Sequence, residues 1–238
     1  MKRITGALLA AVALLLSLAS VASAEATGPR TPAGVSPSGV IPAAQPTAAA
    51  AQDVPDIKWP PDGVKPPGHS RDELIEFAYA MSKHLDTAFP EVVPEANALW
   101  WVDWGGEMPG VIEDGQDYLT TWAVYEDKYG RTGTAFQIEA PGHFTTTPKE
   151  FCEANAAKCE AEFLADGSLV LKAVTVVQGN REYHIGSVLH YRNDGTVVWL
   201  SAYDYDPIWD GNEGPDRDEI ALTFDQLTAL ATDPELHL

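Results

Sequence analysis

The densest set of oxygen ligands in this chain is an acidic run with glycines between its carboxylates: Asp204, Asp206, Asp210, Asn212, Glu213, Asp216, Asp218 and Glu219, around Gly211 and Gly214. Hard oxygens on a pliable loop are what Ca²⁺ takes. Asp206, Asp210, Asn212 and Asp216 are the candidate ligands. The spacing is not the D-x-[DN]-x-[DN]-G of an EF-hand. The plain alternative is a solvated loop leading out of the last strand. The expectation is therefore no resident cofactor, with Ca²⁺ the single candidate.

Trp100, Trp101 and Trp104 form a second cluster, interleaved with Asp103 and Glu107 in a segment that runs to Gly110. Exposed, these rings would stack on a sugar or a peptide; buried, they would close one end of a core. Trp is usually largely buried, so core is the favoured expectation. Cys152 and Cys159 are the only cysteines. Their close, even-numbered spacing reads as one structural disulfide, since a zinc site wants more thiols or histidines and a redox pair wants C-x-x-C.

Catalytic signatures are missing. Ser187 follows Gly186 but lacks the second glycine of G-x-S-x-G, and there is no H-E-x-x-H, phosphate loop or dinucleotide fingerprint. His184 and His190 are six residues apart on one strand, roughly 20 Å at strand rise, too far to share a metal. Glu107 with Glu113 or Asp114 is a conceivable carboxylate pair for glycoside cleavage. Such pairs arise by chance in a chain with 35 acidic residues.

The elements that would hold these residues begin after a leader. Lys2 and Arg3, an apolar stretch from Ile4 to Leu18 and Ala22-Ser23-Ala24 have the form of a secretory signal over 1–24. Its removal takes two cations and no acid, moving the formal net charge from −20 to −22. That charge repels phosphate backbones and anionic headgroups, which argues against nucleic acid and membrane surfaces as partners. No later stretch is long and apolar enough to span a bilayer. Residues 25–68, rich in Pro and Ala, are expected to be a disordered linker. One domain would follow over 69–238.

Within that domain, three capping boxes announce helices: Ser70 with Glu73, Thr147 with Glu150, and Thr223 with Gln226. The first helix should carry Leu74, Phe77, Met81 and Leu85 on one face and stop at Phe89-Pro90. Alternation marks strands near 118–124 and 134–138. A four-strand meander covers about 159–204, turning at Asp166-Gly167, Gly179-Asn180 and Asp194-Gly195. Tyr183, Ile185, Leu189 and Tyr191 would make the dry face of its third strand and receive the long helix. Glu182, His184, His190 and Arg192 would make the wet face. The fold class is α+β: an antiparallel meander sheet of about five to six strands with helices packed on one face.

The C-terminal half resembles a loose group of secreted and lipoprotein-like actinobacterial proteins. The shared features are the short-spaced Cys152 and Cys159, Asp166-Gly167-Ser168, Asp194-Gly195-Thr196, and the tail Leu222-Thr223-Phe224-Asp225-Gln226-Leu227 through Asp233-Pro234-Glu235-Leu236. The likeness implies export and this fold and supplies no activity. The lipid-attachment cysteine of some members is missing. The functional expectation is a secreted, monomeric, non-enzymatic module that binds a protein or envelope component. The rivals are a carboxylate-dependent hydrolase and an inhibitor of an extracellular enzyme.

Overall fold

Residues 54–178, 182–208 and 217–238 are described by the computed structural model. The signal, most of the expected linker and the Gly179-Asn180 turn lie outside them.

All three capping boxes form as the sequence predicts. Ser70 accepts from the Glu73 amide, Thr147 from Glu150 and Thr223 from Gln226. They start α1 (Arg71–Val92), α2 (Pro148–Asn155) and α3 (Phe224–Ala231). Leu74, Ala78, Met81, Leu85 and Phe89 bury one face of α1. Each fully buried large apolar side chain there contributes about 1.5–3 kcal/mol. Pro90 does not end this helix. It sits in the last turn, and the chain leaves only at Val93, whose amide still reaches the Phe89 carbonyl at 2.8 Å. A proline costs one hydrogen bond to the carbonyl four residues back, a small loss when the following turn is the last.

The sheet has seven strands, more than the five to six expected. They are β1 (Asn97–Trp101), β2 (Tyr118–Asp127), β3 (Gly130–Glu139), β4 (Lys158–Phe163), β5 (Leu169–Gln178), β6 (Glu182–Tyr191) and β7 (Val197–Tyr203). Their order, β1-β2-β3-β7-β6-β5-β4, is that of two antiparallel meanders joined through β3 and β7. β1 escapes a sequence reading because it does not alternate. Its register shifts between Asn97 and Trp100, and Ala98 takes a positive φ of 49°.

Alternation places the two hydrophobic clusters on opposite faces. Val170, Val188, Val198 and Leu200 pack under α1 and α3. Leu169, Leu171, Leu189, Tyr191 and Val197 pack with Phe151 and Cys152 of α2. The helices therefore do not share one face. The long helix lies on the side that carries Gly186, Val188 and His190, the side expected to be wet. Charged letters at 182, 184 and 192 mark only the strand ends; the middle of that face is Gly, Val and a buried His190.

The other face takes α2 and a segment that composition assigned to the linker. Val54, Ile57 and Trp59 pack on the second cluster. The Trp59 indole N–H donates to the Phe144 carbonyl at 2.8 Å, and its ring meets Tyr191 edge-on at 5.0 Å. Residues 54–68 are thus a strap on the domain. Gly195 shows how close it lies: a Cβ there would meet Val64 Cγ1 at 2.6 Å, and its φ is +93°. Cys152 and Cys159 form the expected disulfide, Cα–Cα 6.1 Å, tying α2 to β4.

Candidate functional site

Among the described residues, several of the polar side chains singled out in the sequence are occupied with holding the fold. Asp206 accepts from Arg131 Nε at 2.6 Å through one oxygen and from the Ile208 amide at 3.0 Å through the other. Asp210, Asn212 and Asp216 lie outside the described residues. Among the described residues, no three His, Cys, Asp or Glu side chains converge as a metal site would. Glu107 accepts from the Tyr118 hydroxyl at 2.8 Å, while Asp114 accepts from the first amide of α1. The two acids do different jobs.

The tryptophans divide. Trp104 is 7% exposed and donates to Ser82 of α1 at 2.8 Å. Trp101 lies edge-on to Phe89 and Phe136 and donates to Asp86. Trp100, paired with Val124 at the sheet edge, is 48% exposed. One ring of the three remains for a ligand.

Ser168 and His190 have the look of a nucleophile and base, 2.9 Å apart and both buried. Their hydrogens say otherwise. An ionised Asp166 can only accept, and its oxygen is 2.7 Å from Ser168 Oγ. The serine proton therefore goes to Asp166, leaving Oγ to accept from His190 Nε2–H. His190 Nδ1 lies 3.3 Å from Arg192 Nε and 3.2 Å from the Ala231 carbonyl; with the proton on Nε2 it carries a lone pair, so it accepts from Arg192 and the carbonyl contact is not a hydrogen bond. Burial, then the neighbouring Arg192, lowers the His190 pKa, which favours the neutral ring. Arg192 continues the chain to the carbonyls of Leu236 at 2.7 Å and Asp233 at 2.6 Å. The Asp-Gly-Ser turn and the C-terminal tail, two motifs of the resemblance, are thereby one structural clasp.

A different surface is left open. On β2, β3 and β7, interior strands of the sheet, the face toward α1 is closed: Leu119, Ala123, Phe136, Ile138, Val198 and Leu200 are buried. On the opposite face of the same strands, Thr120, Trp122, Ala135, Gln137 and Trp199 stay partly exposed. Among the described residues, the strap and α2 cover that face toward β4, β5, β6 and Val197 of β7; at the other end Val124 and Gly133 are buried, and a Cβ on Gly133 would meet Ile208 Cγ1 at 3.5 Å. Register brings Thr120, Gln137 and Trp199 into one row across the strands, with Trp122, Ala135 and Ser201 in the next. Trp122 stacks on Tyr203 at 5.5 Å.

At one end of this open half, Glu139 is 2% exposed and lies opposite Tyr118 in the β2–β3 register. Its carboxylate accepts from His143 Nδ1–H and from the Gln137 side-chain amide. The His143 ring stacks on Tyr118 at 5.5 Å and 13°. The hydrogen bond to Glu139 raises the His143 pKa against the opposing effect of burial. Burial and the bond to Glu107 push the Tyr118 hydroxyl above its ordinary value. A carboxylate that fixes an imidazole tautomer is half of a general-base device. Among the described residues, no serine, threonine or cysteine is bonded to His143. The nearest sequence signal for this pair is Glu139 at a strand end, followed by Ala-Pro-Gly and His143, which permits the turn without specifying it.

No family model matches this chain, and neither a curated protein nor a solved structure is significantly similar to it.

Proposed function

We propose that this is an exported, non-enzymatic binding module whose ligand lies on the open half of the sheet, over Trp122, Ala135, Gln137 and Trp199. One observation carries the reading: burial alternates over 118–123 of β2 and 134–138 of β3, with every second side chain closed under α1 and its neighbours left partly exposed. Interior strands are normally covered on both faces or lined with polar residues where they meet water. Here the uncovered side chains include two indoles, the mixture of flat apolar surface and hydrogen-bonding groups that ligand sites use. The disulfide is compatible with an oxidising compartment. So are the signal-like leader and the resemblance to secreted actinobacterial proteins. No helix among the described residues is long and apolar enough to cross a membrane.

The test is a peptide and glycan array probed with the wild-type chain and with Ala135→Lys, which plants a long cation in the middle of the open face. Ligands bound by the wild type and lost by the variant, with unchanged thermal melting, support the reading. Ligands held equally by both would place the binding surface elsewhere.

A further inference from the structure

The covered half of this face shows what kind of chain it accepts. From Val54 to Gly68 the strap has no helix or strand, and it carries Pro55, Pro60, Pro61, Pro66 and Pro67. It lies on the aromatic and aliphatic rows of β5, β6 and β7, with Trp59 edge-on to Tyr191. One row runs without a break from that covered half into the open half: Leu171, Leu189, Trp199, Gln137 and Thr120. Trp199 stands on the boundary. It packs against the second cluster, touches Phe144 and Phe151, and still shows part of its surface to solvent.

We propose that the open half binds an extended, proline-rich peptide, which would lie on the continuation of the surface already occupied by the strap. The inference rests on the binding reading above and adds the ligand class. A polyproline helix has no internal hydrogen bonds, so its carbonyls are available and its ordering entropy is low. Grooves that take it pair aromatic rings with donors that reach those carbonyls. Trp122 offers a partly exposed ring backed by Tyr203, and its indole N–H has no partner among the described residues. Glu107 at one end and a net charge of −20 for the chain disfavour acidic peptides and favour flanking Lys or Arg.

The experiment follows the Trp122 side-chain N–H resonance in the full-length chain, assigned through Trp122→Phe. The probes are a polyproline peptide of about ten residues, a Gly–Ser peptide of equal length and a neutral glucan oligosaccharide. The expected result is a saturable shift with polyproline alone, weakened at least about tenfold in Ala135→Lys, equivalent to about 1.4 kcal/mol. Equal shifts with polyproline and Gly–Ser, or no shift with polyproline, overturn the inference. If polyproline is silent while the glucan, or an array ligand lost in Ala135→Lys, moves this resonance, the binding face stands and the ligand class is wrong. If nothing moves it and Ala135→Lys loses no array ligand, the binding reading fails as well.

Discussion

Ser168 Oγ and His190 Nε2 lie 2.9 Å apart, the separation at which a hydroxyl nucleophile meets its base, yet Asp166 decides the direction of the protons. A serine that donates to a carboxylate and accepts from an imidazole cannot hand its proton to that imidazole. Ser168 is therefore expected to resist a serine-reactive fluorophosphonate, and labelling measured by intact mass should be nil. Ser168→Ala should instead cost about 1–3 kcal/mol of stability, measured by denaturant unfolding, because His190 and Asp166 lose a buried partner. His143, bonded to the buried Glu139, titrates at one end of the open face. His143 holds its proton more tightly folded than free, whose ordinary value is 6.5. Its stabilisation is complete below that value and is lost as pH rises through the raised one. The melting-temperature deficit of His143→Gln should accordingly be larger at about pH 5.5 than at about pH 9. An equal deficit at both would show that the charge on His143 adds nothing.

At the scale of elements, the Cys152–Cys159 bridge closes a short loop between α2 and β4. On the chain-entropy account it contributes about 2.5 kcal/mol. Cys152→Ala/Cys159→Ala should unfold at correspondingly lower urea, and reductant should bring the wild type to the same midpoint. Which elements were legible in the sequence follows from what each depends on. The three helix starts depend on four-residue boxes, so Ser70, Thr147 and Thr223 could be read directly. The β4–β7 meander depends on Asp-Gly turns and alternation, which are also local. β1 depends on tertiary contact: Trp101 and Trp104 are fixed by α1, and the bulge at Ala98 erases the alternation. The side on which α1 packs was misread because His184, His190 and Arg192 share letters with a wet face. His190 is covered by α3, and Arg192 is spent on the carbonyls of the tail. The open face depends on what fails to cover β2, β3 and β7, and no local pattern encodes an absent neighbour. Glu139 and His143 were missed for a related reason: their pairing is made by a turn whose geometry the letters Ala-Pro-Gly permit without specifying.

For the whole molecule, the strap moves the boundary of the folded unit upstream. A chain that starts at residue 69 loses Val54, Ile57 and Trp59 from the second cluster and, with Trp59, the edge-on cover of Tyr191. It should melt lower and bind a hydrophobic dye, while a chain that starts at residue 54 should melt like the full-length protein. Equal melting of both would show that the strap is an ornament on an already stable sheet.

The seam between the two meanders has a further consequence, and it concerns time. Thr134 pairs with Ala202 and Ile138 with Val198, so β3, paired with β2 on one edge, must wait for a strand far along the chain before its other edge has a partner. Hairpins close early and distant pairings close late. Each meander should therefore assemble by itself, with the β3–β7 contact the last register to lock and the first to breathe. Gln137 and Trp199 sit opposite each other across that contact, in the floor of the open face. Whatever settles on the face grips both halves at once, so its arrival should slow amide exchange along β3 and β7 more than anywhere else in the sheet.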